Sequence, residues 1–549
     1  MEFISNKFNN YKNIESGFIN FFSKHKSIIL PFIFILSYLC LYFLIDFSSQ
    51  SLVAHDEGLY ARRSRLVEDS YNWFSSPFPE PHHKTLGSYW FIALSIRLFG
   101  QSELALRLPS IISSLTCLFI LYFITLNISN KKSAFISVVS LSSMPLWIQY
   151  SKYASPDIPF VLCILLVIMF FLKYLEANLD NRRYLYIFLS GLFISTSFFI
   201  RSYMVFVPLL GLTPFLLYHL FNSKRIFKIV FLTGLVFGFI PTLLNLYFSY
   251  KKFGLNGVTI LFDFAKEKAV GGVDFTNFLL IPLNYIYLTF PIGLLLIILL
   301  VFTRSNYNYN YPLLIYWYPI ISFILLLSMS TSYLHYYLFI LPSLSILFSV
   351  KLESYSFRFS VSKHIVKFLL SLLVIFMTVS LVSLLFFYKD LLIDNSNRKI
   401  LILYLSIILL VLSFLYSSRY IFDNRYSKFS LSGFFYSIVF PQYVSISLLY
   451  NFGVVGNPNF KLKSFLNDQD VLSIINNNTI YLYNVDSKIN TLLRYYLPSA
   501  KIVKSTEDVF RYNYIITSDI NKLYNQEGDS GFKLIDGFDN HFLMINKSK

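Results

Sequence analysis

The sequence predicts a polytopic α-helical membrane protein with about thirteen transmembrane helices and a small C-terminal α/β domain. Three observations carry this. The 549 residues are 55% hydrophobic and only 14% charged, with a mean hydropathy of +0.57, whereas soluble domains carry roughly a quarter charged residues. Apolar runs of about 20 residues recur along the chain, where a soluble core would alternate apolar and polar faces. From residue 457 the composition turns to Asn, Asp and Lys, and short β-like runs replace the long apolar ones.

The spans have cores at 27–47, 105–127, 132–149, 158–175, 184–200, 203–221, 226–249, 279–302, 311–328, 334–350, 365–388, 398–417 and 430–450. At ~1.5 Å per residue, each run crosses a ~30 Å hydrocarbon layer. The first run begins near Ile28, is too long for a signal-peptide core and is followed by no small-residue cleavage site, so it reads as a retained helix. The net charge of +17 comes from Lys and Arg scattered through short loops. That is a positive-inside pattern, with attraction to anionic head groups, and it needs no nucleic acid. Cys40, Cys117 and Cys163 all fall inside apolar runs and form neither a metal-ligand spacing nor a disulfide framework.

Orientation follows from the loops. With Lys24 and Lys26 inside, the inside loops hold Lys131 and Lys132, Arg182 and Arg183, Lys224 and Arg225, Arg304, Lys351 and Arg358, and Arg419 with Arg425. Three large pieces then lie outside: 48–104, 250–278 and everything after about 451. Residues 1–450 form the transmembrane domain, with 48–104 as its first outer loop, and 457–549 form the small outer α/β domain. In the first loop, Asp56, Tyr60 and Arg63 follow at helical spacing, so one face of a short helix presents them together. The Pro-broken "SSPFPEPHHK" and an apolar stretch from Tyr89 to Phe99 come next, fitted to lie on the membrane surface.

The densest ionisable cluster of the chain sits in this loop. Asp56 and Glu57 are adjacent at a helix start, where carboxylates are favoured anyway. One of them within hydrogen-bond reach of an acceptor hydroxyl would act as a general base, and its neighbour would tune it or hold a cation. Asp157, in "SPDIPF", is either a helix cap or a further carboxylate on the same face. Lys84, beside His82 and His83, is a compact charge suited to phosphate. Arg201 lies where two apolar runs meet, a depth at which an ionisable group is expected to serve function or to snorkel. His335 is flanked by tyrosines at the outer end of a span. Carboxylates and cations on one face, with no nucleotide-binding loop, suit a substrate that brings its own leaving group. A lipid-linked phosphosugar needs a greasy groove for its chain, Lys or Arg for its phosphate and an activated nucleophile at its sugar carbon.

In "HDEGLYARRSRLV", "HHKTLGSYWFIALSIRLFG", "SELALRLPSI", "SPDIPF" and "SMSTSYLHYYLFILPSL", the chain resembles the protein O-mannosyltransferase and aminoarabinose transferase superfamily of GT-C-type glycosyltransferases, in order through roughly residues 50–350. The resemblance implies a GT-C membrane fold, a catalytic first outer loop and a polyprenyl-phosphate-linked sugar donor. It matches Asp56 to the catalytic acidic position with Glu57 beside it, Lys84 to a donor-phosphate lysine, Asp157 to the acidic residue of the second outer loop, and His335 with Tyr336 to a late His-Tyr pair. There are departures. His83 stands where the aminoarabinose enzymes often have an acidic residue, Arg201-Ser202 where they often have Lys-Gly, and Leu59 where they often have Arg. The phosphate-binding charge is then retained at Arg201 and relocated to Arg62 or Arg63. The donor sugar and a divalent metal requirement stay open.

The expected activity is transfer of a sugar from polyprenyl phosphate to an acceptor hydroxyl or phosphate on the outer face of a bacterial inner membrane, with inversion. The acceptor class (lipid, glycan or protein) stays open. A polar-lipid flippase or transporter would instead bury charges mid-span and show repeat symmetry. An O-antigen ligase or polymerase would carry its large functional loop late in the chain.

Overall fold

The computed structural model describes residues 50–270, 285–286, 288–305, 311–329, 333–357, 360–387, 397–422, 430–457, 459–519 and 532–546, and the isolated residues 33, 35 and 37. The expected first span, 27–47, therefore lies almost wholly outside the described residues. The side chains of His55 and Asp56 also lie outside them, although the backbone there is described.

The first loop begins with a π-helical turn, Ala54–Gly58, that runs into α1, Leu59–Ser70. α2 follows at Gly87–Phe99 and α3 at Glu103–Ile128. Ser102 caps α3 by accepting from Ala105 N, and Asn130 caps α4 (Lys131–Ser143) by accepting from Lys132 N and Ser133 N. The expected span 132–149 is broken. Met144 precedes Pro145 and is extended, as residues before proline are, so α4 stops and a short α5, Pro145–Tyr150, starts at a new angle. α6 is Asp157–Glu176 and α7 is Asp180–Arg201. At Ser202 the backbone turns to φ 49° and breaks an otherwise continuous helical stretch before α8, Phe206–Phe221. α9, Arg225–Phe253, packs back on α7, and α10 is Asn256–Val270.

Among the described residues, seven helical stretches are long and apolar enough to cross a membrane, including Ser360–Phe387, Asn397–Phe422 and Leu431–Asn451, and two shorter apolar segments add to them. Large side chains such as Phe237, Phe368 and Phe376 are exposed on these helices. An apolar exterior over buried serines is the arrangement of a lipid-facing bundle, and the chain is a multi-pass membrane protein. A two-stranded ribbon, β1 (Thr303–Ser305) with β2 (Tyr355–Phe357), ties two of its loops together.

The C-terminal segment folds into a five-stranded sheet flanked by helices. Its strands are β3 (Ile480–Tyr483), β4 (Lys501–Val503), β5 (Tyr514–Thr517), β6 (Phe532–Phe538) and β7 (His541–Asn546), in the order β4-β3-β5-β7-β6. β4, β3 and β5 are parallel, and β7 runs antiparallel to both β5 and β6. The runs "TIYLYNV", "YNYIITS" and "HFLMIN" supply β3, β5 and β7, and the helical stretch near "KINTLLRYYL" is Ser487–Tyr496. This sheet does not stand apart. One buried cluster joins Leu52, Tyr60, Val67, Tyr89 and Leu106 of the first-loop region to Leu462, Leu482, Leu492 and Leu543 of the C-terminal segment.

Candidate functional site

The first loop reaches the bundle through a close contact of α2 with α7. Gly87 is required there: a Cβ at this position would lie 2.3 Å from Phe199 O, a backbone atom. Thr85 Oγ1 donates to Phe199 O (2.5 Å) and Ser88 Oγ to Ile200 O (2.6 Å), capping the carbonyls exposed where α7 ends. Thr85 N donates to Ser202 Oγ (3.3 Å). These bonds set Lys84, just before Thr85, beside Arg201, the last residue of α7.

Between them lies Tyr60. Its hydroxyl accepts from Lys84 Nζ (2.9 Å) and from Arg201 Nη1 (3.1 Å). Lys84 also stands over the Tyr60 ring, 4.5 Å from its centre. Arg201 is ion-paired with Asp157, both largely buried, and its guanidinium lies 5.8 Å from the centre of the Tyr336 ring. Tyr150 Oη and His335 Nδ1 are 3.4 Å apart, and His335 stacks on Tyr333. Burial holds the Lys84 ammonium down at about 8, helped by the nearby Arg201 and Arg63 charges against the opposing pull of Tyr89 and Asp157.

Tyr60, His83, Lys84, Asp157, Arg201, His335 and Tyr336 all face one cavity of ≈790 Å³. Its remaining wall is mostly apolar: Leu59, Met204, Phe206, Val207, Leu210, Phe264 and Leu325 contribute, with Phe206 and Leu210 exposed on the outer surface of the bundle. His83 belongs to this wall as well, its ring tilted against Phe264 with centres 4.4 Å apart. The cavity thus has a cationic end and an apolar flank open toward the lipid side.

Three expected site residues stand elsewhere. Glu57, expected in the catalytic pair, is fully buried and does not line the cavity. Its carboxylate accepts from Arg107 Nε and Nη2 (both 2.8 Å), Ala154 N (2.9 Å) and Val53 N (3.0 Å). Those four donors account for the roughly four lone-pair sites of a carboxylate. Arg63 turns away from Tyr60: it donates to the His82 ring and to Tyr89 Oη (3.1 Å). Burial and the Arg63 charge hold His82 far below its ordinary pKa, as a neutral acceptor. Arg62 faces the C-terminal segment, where burial and then the Arg494 charge bring its guanidinium down to about 10. Tyr60, Arg62 and Arg63 all lie in α1, which alone sets their directions relative to one another. The π-helical turn before it closes with Gly58 N donating to Val53 O (3.0 Å) and holds more residues than an α-turn, so it shifts Glu57 out of phase with α1. Asp56 itself sits in that turn by its backbone.

Several contributors went unread in the sequence. Arg107 was visible inside the "ALRLPS" element, and a buried Arg near a Glu is a pairing signal. Tyr89, Ser202 and Tyr333 lay within or beside the quoted motifs without being given a role, and Phe264 carried no signal. Lys152 is buried over the Tyr450 ring, and burial together with the Arg107 charge pushes its ammonium well below the ordinary value. Among the described residues, no group of three His, Cys, Asp or Glu side chains is placed to hold a metal ion.

The family described as dolichyl-phosphate-mannose-protein mannosyltransferase matches residues 83–248. The undecaprenyl phosphate-alpha-4-amino-4-deoxy-L-arabinose arabinosyl transferase of Shewanella sediminis is 25% identical over 195 residues, 35% of each chain. The second such transferase of Proteus mirabilis is 26% identical over 200 residues, 36% of this chain and 35% of that protein. The matched segment thus spans about a third of these relatives. The crystal structure of ArnT from Cupriavidus metallidurans bound to undecaprenyl phosphate superposes with a TM-score of 0.71 at 15% identity, covering 95% of this chain and 98% of that one. The chain thus has the fold of ArnT over nearly its whole length, and its residues 83–248 match the dolichyl-phosphate-mannose-protein mannosyltransferase family.

Proposed function

We propose that this chain is a membrane glycosyltransferase that moves a sugar from a polyprenyl-phosphate donor to an acceptor hydroxyl or phosphate, with inversion, on the extracytoplasmic face of a bacterial inner membrane. The observation that carries the reading is the two-ended cavity. Lys84 and Arg201 converge on one hydroxyl at its polar end, and an apolar wall leads from them to the lipid side. A phosphate ester on a long hydrocarbon chain needs both. The relatives whose names specify an undecaprenyl phosphate sugar donor support the same class of donor here. The Lys/Arg bias of the short loops supports the orientation.

In this reading the donor phosphate displaces the Tyr60 hydroxyl as the shared acceptor of Lys84 and Arg201. Asp157 keeps the Arg201 guanidinium charged and aimed. Asp56 removes the proton of the acceptor O–H as that oxygen attacks the anomeric carbon, and the carbon–oxygen bond to the phosphate breaks on the opposite face. The leaving polyprenyl phosphate carries the electron pair away, held by the two cations. Glu57 does not react; it fixes the turn that bears Asp56. His335 and Tyr336 line the sugar end.

The test is transfer of radiolabelled sugar from a panel of polyprenyl-phosphate donors by purified protein. Asp56→Asn should fold, bind donor and lose turnover by ~10²–10⁴, the usual worth of a positioned base, and the product should show the inverted anomer by NMR. Retention of configuration, or near-normal turnover in Asp56→Asn, would overturn this mechanism.

A further inference from the structure

The backbone that leads into the π-helical turn is held by the far end of the chain. Ser51 N and Oγ both donate to Asn457 Oδ1 (3.1 and 2.8 Å). Leu52 N donates to Tyr496 Oη (3.3 Å), and Leu52 O accepts from Asn459 Nδ2 (2.9 Å). Both backbone groups of Leu52 are therefore satisfied by C-terminal side chains. Leu492, from the same helix as Tyr496, presses on the turn itself: a Cβ on Gly58 would lie 2.7 Å from Leu492 Cδ2. Arg65 Nη1 of α1 donates to Tyr495 O (2.9 Å), and Lys463 is ion-paired with Glu103 at the start of α3. The membrane bundle holds the turn from the other side, through Arg107, Ala154 and Glu57.

We infer that the C-terminal domain is part of the catalytic unit: Tyr496, Asn459 and Leu492 are positioning residues that clamp the 50–58 turn between the domain and the bundle. The donor groups Lys84, just before α2, Arg201, at the end of α7, and Asp157, at the start of α6, bond to Tyr60 and to each other. The clamp therefore governs the placement of the base-bearing turn and not the hold on the donor. This rests on the transferase reading above, so its test carries a readout that needs no turnover.

Purified Tyr496→Phe, which removes only the hydroxyl, and Asn459→Ala should speed hydrogen exchange of the amides at 51–58 at least tenfold while leaving exchange in α7 unchanged. Donor KM should stay within twofold of the parent and kcat should fall at least fivefold. Gly58→Ala should lower kcat in the same way, and Gly58→Ala/Leu492→Ala should recover most of it, because the shortened side chain makes room for the new methyl. A merely structural domain would lower stability without splitting kcat from KM and without that rescue. Unchanged exchange at 51–58 in both hydrogen-bond variants overturns the clamp whatever the activity. Loosened exchange with no transfer by the parent protein upholds the clamp and overturns the transferase reading. Unchanged kcat in a folded Gly58→Ala protein overturns the role of Leu492.

Discussion

Consider Glu57→Gln. Glu57 is 0% and Arg107 3% exposed, so neither charge is screened by water. The substitution keeps shape and one acceptor oxygen, but it turns an NH₂ toward groups that are all donors: the Arg107 guanidinium, Ala154 N and Val53 N. It also leaves Arg107 as a buried charge without its counter-ion. Removing one partner of a buried ion pair costs ~3–5 kcal/mol. At about 1.4 kcal/mol per tenfold, opening of the 53–58 turn should become roughly 10²–10⁴ times more populated. Replacing both partners, in Glu57→Gln/Arg107→Met, should regain much of this, because paired removal leaves no orphan charge. Hydrogen exchange of the amides at 51–60 in protein held in lipid nanodiscs measures the local opening, and intrinsic-fluorescence melting follows the whole fold. Glu57→Gln should therefore lose activity through a loosened turn, with accelerated exchange there. An unchanged exchange profile and melting temperature in Glu57→Gln, or a double variant worse than either single one, would refute the assignment of Glu57 to positioning.

The site makes further predictions. Lys84 sits at about 8 because burial disfavours its charge; a phosphate needs the charged form. Donor affinity should hold steady below pH 8 and fall roughly tenfold per unit as pH rises above it, as read with a fluorescent polyprenyl phosphate, whereas Lys84→Arg should flatten that profile. Lys84→Ala should weaken donor binding by ~1.5–3 kcal/mol, the worth of a charge-assisted hydrogen bond; unchanged binding removes Lys84 from the site. Gly87→Ala drives a methyl into the Phe199 carbonyl, so α2 and α7 must separate; it should cost ~1–3 kcal/mol in thermal stability and weaken donor binding with it. Ser473→Cys, on an exposed C-terminal helix position, should react with an impermeant thiol reagent in spheroplasts. Labelling only after permeabilisation would reverse the proposed orientation.

Much of this was legible because membranes impose coarse rules. Long apolar runs and loop charge marked α3, α6, α7 and α9, whose only way to satisfy backbone groups in lipid is helical. Lys84, Asp157, Arg201 and His335 stood out because ionisable groups are rare in such a chain, Tyr336 through the family resemblance, and all five reach the cavity. What escaped reading depended on helical phase and on long-range contact. The π-helical turn at Ala54–Gly58 carries no local signal, yet it shifts Glu57 out of phase with Tyr60, and the partners that draw Arg63 to His82 and Tyr89 lie 19 and 26 residues away. Tyr89 was read only as the start of an apolar surface stretch, and only the fold puts its hydroxyl against Arg63. The break at Pro145 was written in the sequence, but the apolar count over 132–149 outweighed it.

The union of the first loop with the last domain also has a meaning in time. The groups that hold Ser51 and Leu52 lie 406 and 444 residues further along the chain. At ~5–20 residues per second of synthesis, the start of the loop waits on the order of 20–90 s for its other half to be made. During that interval the early helices can already be in the membrane with Lys84 and Arg201 beside each other, while the 50–58 turn has no far wall. A nascent or prematurely terminated chain would thus be able to hold a lipid phosphate but not to act on it. On the proposed reading, catalytic competence waits for the helix Ser487–Tyr496 and the sheet that follows it.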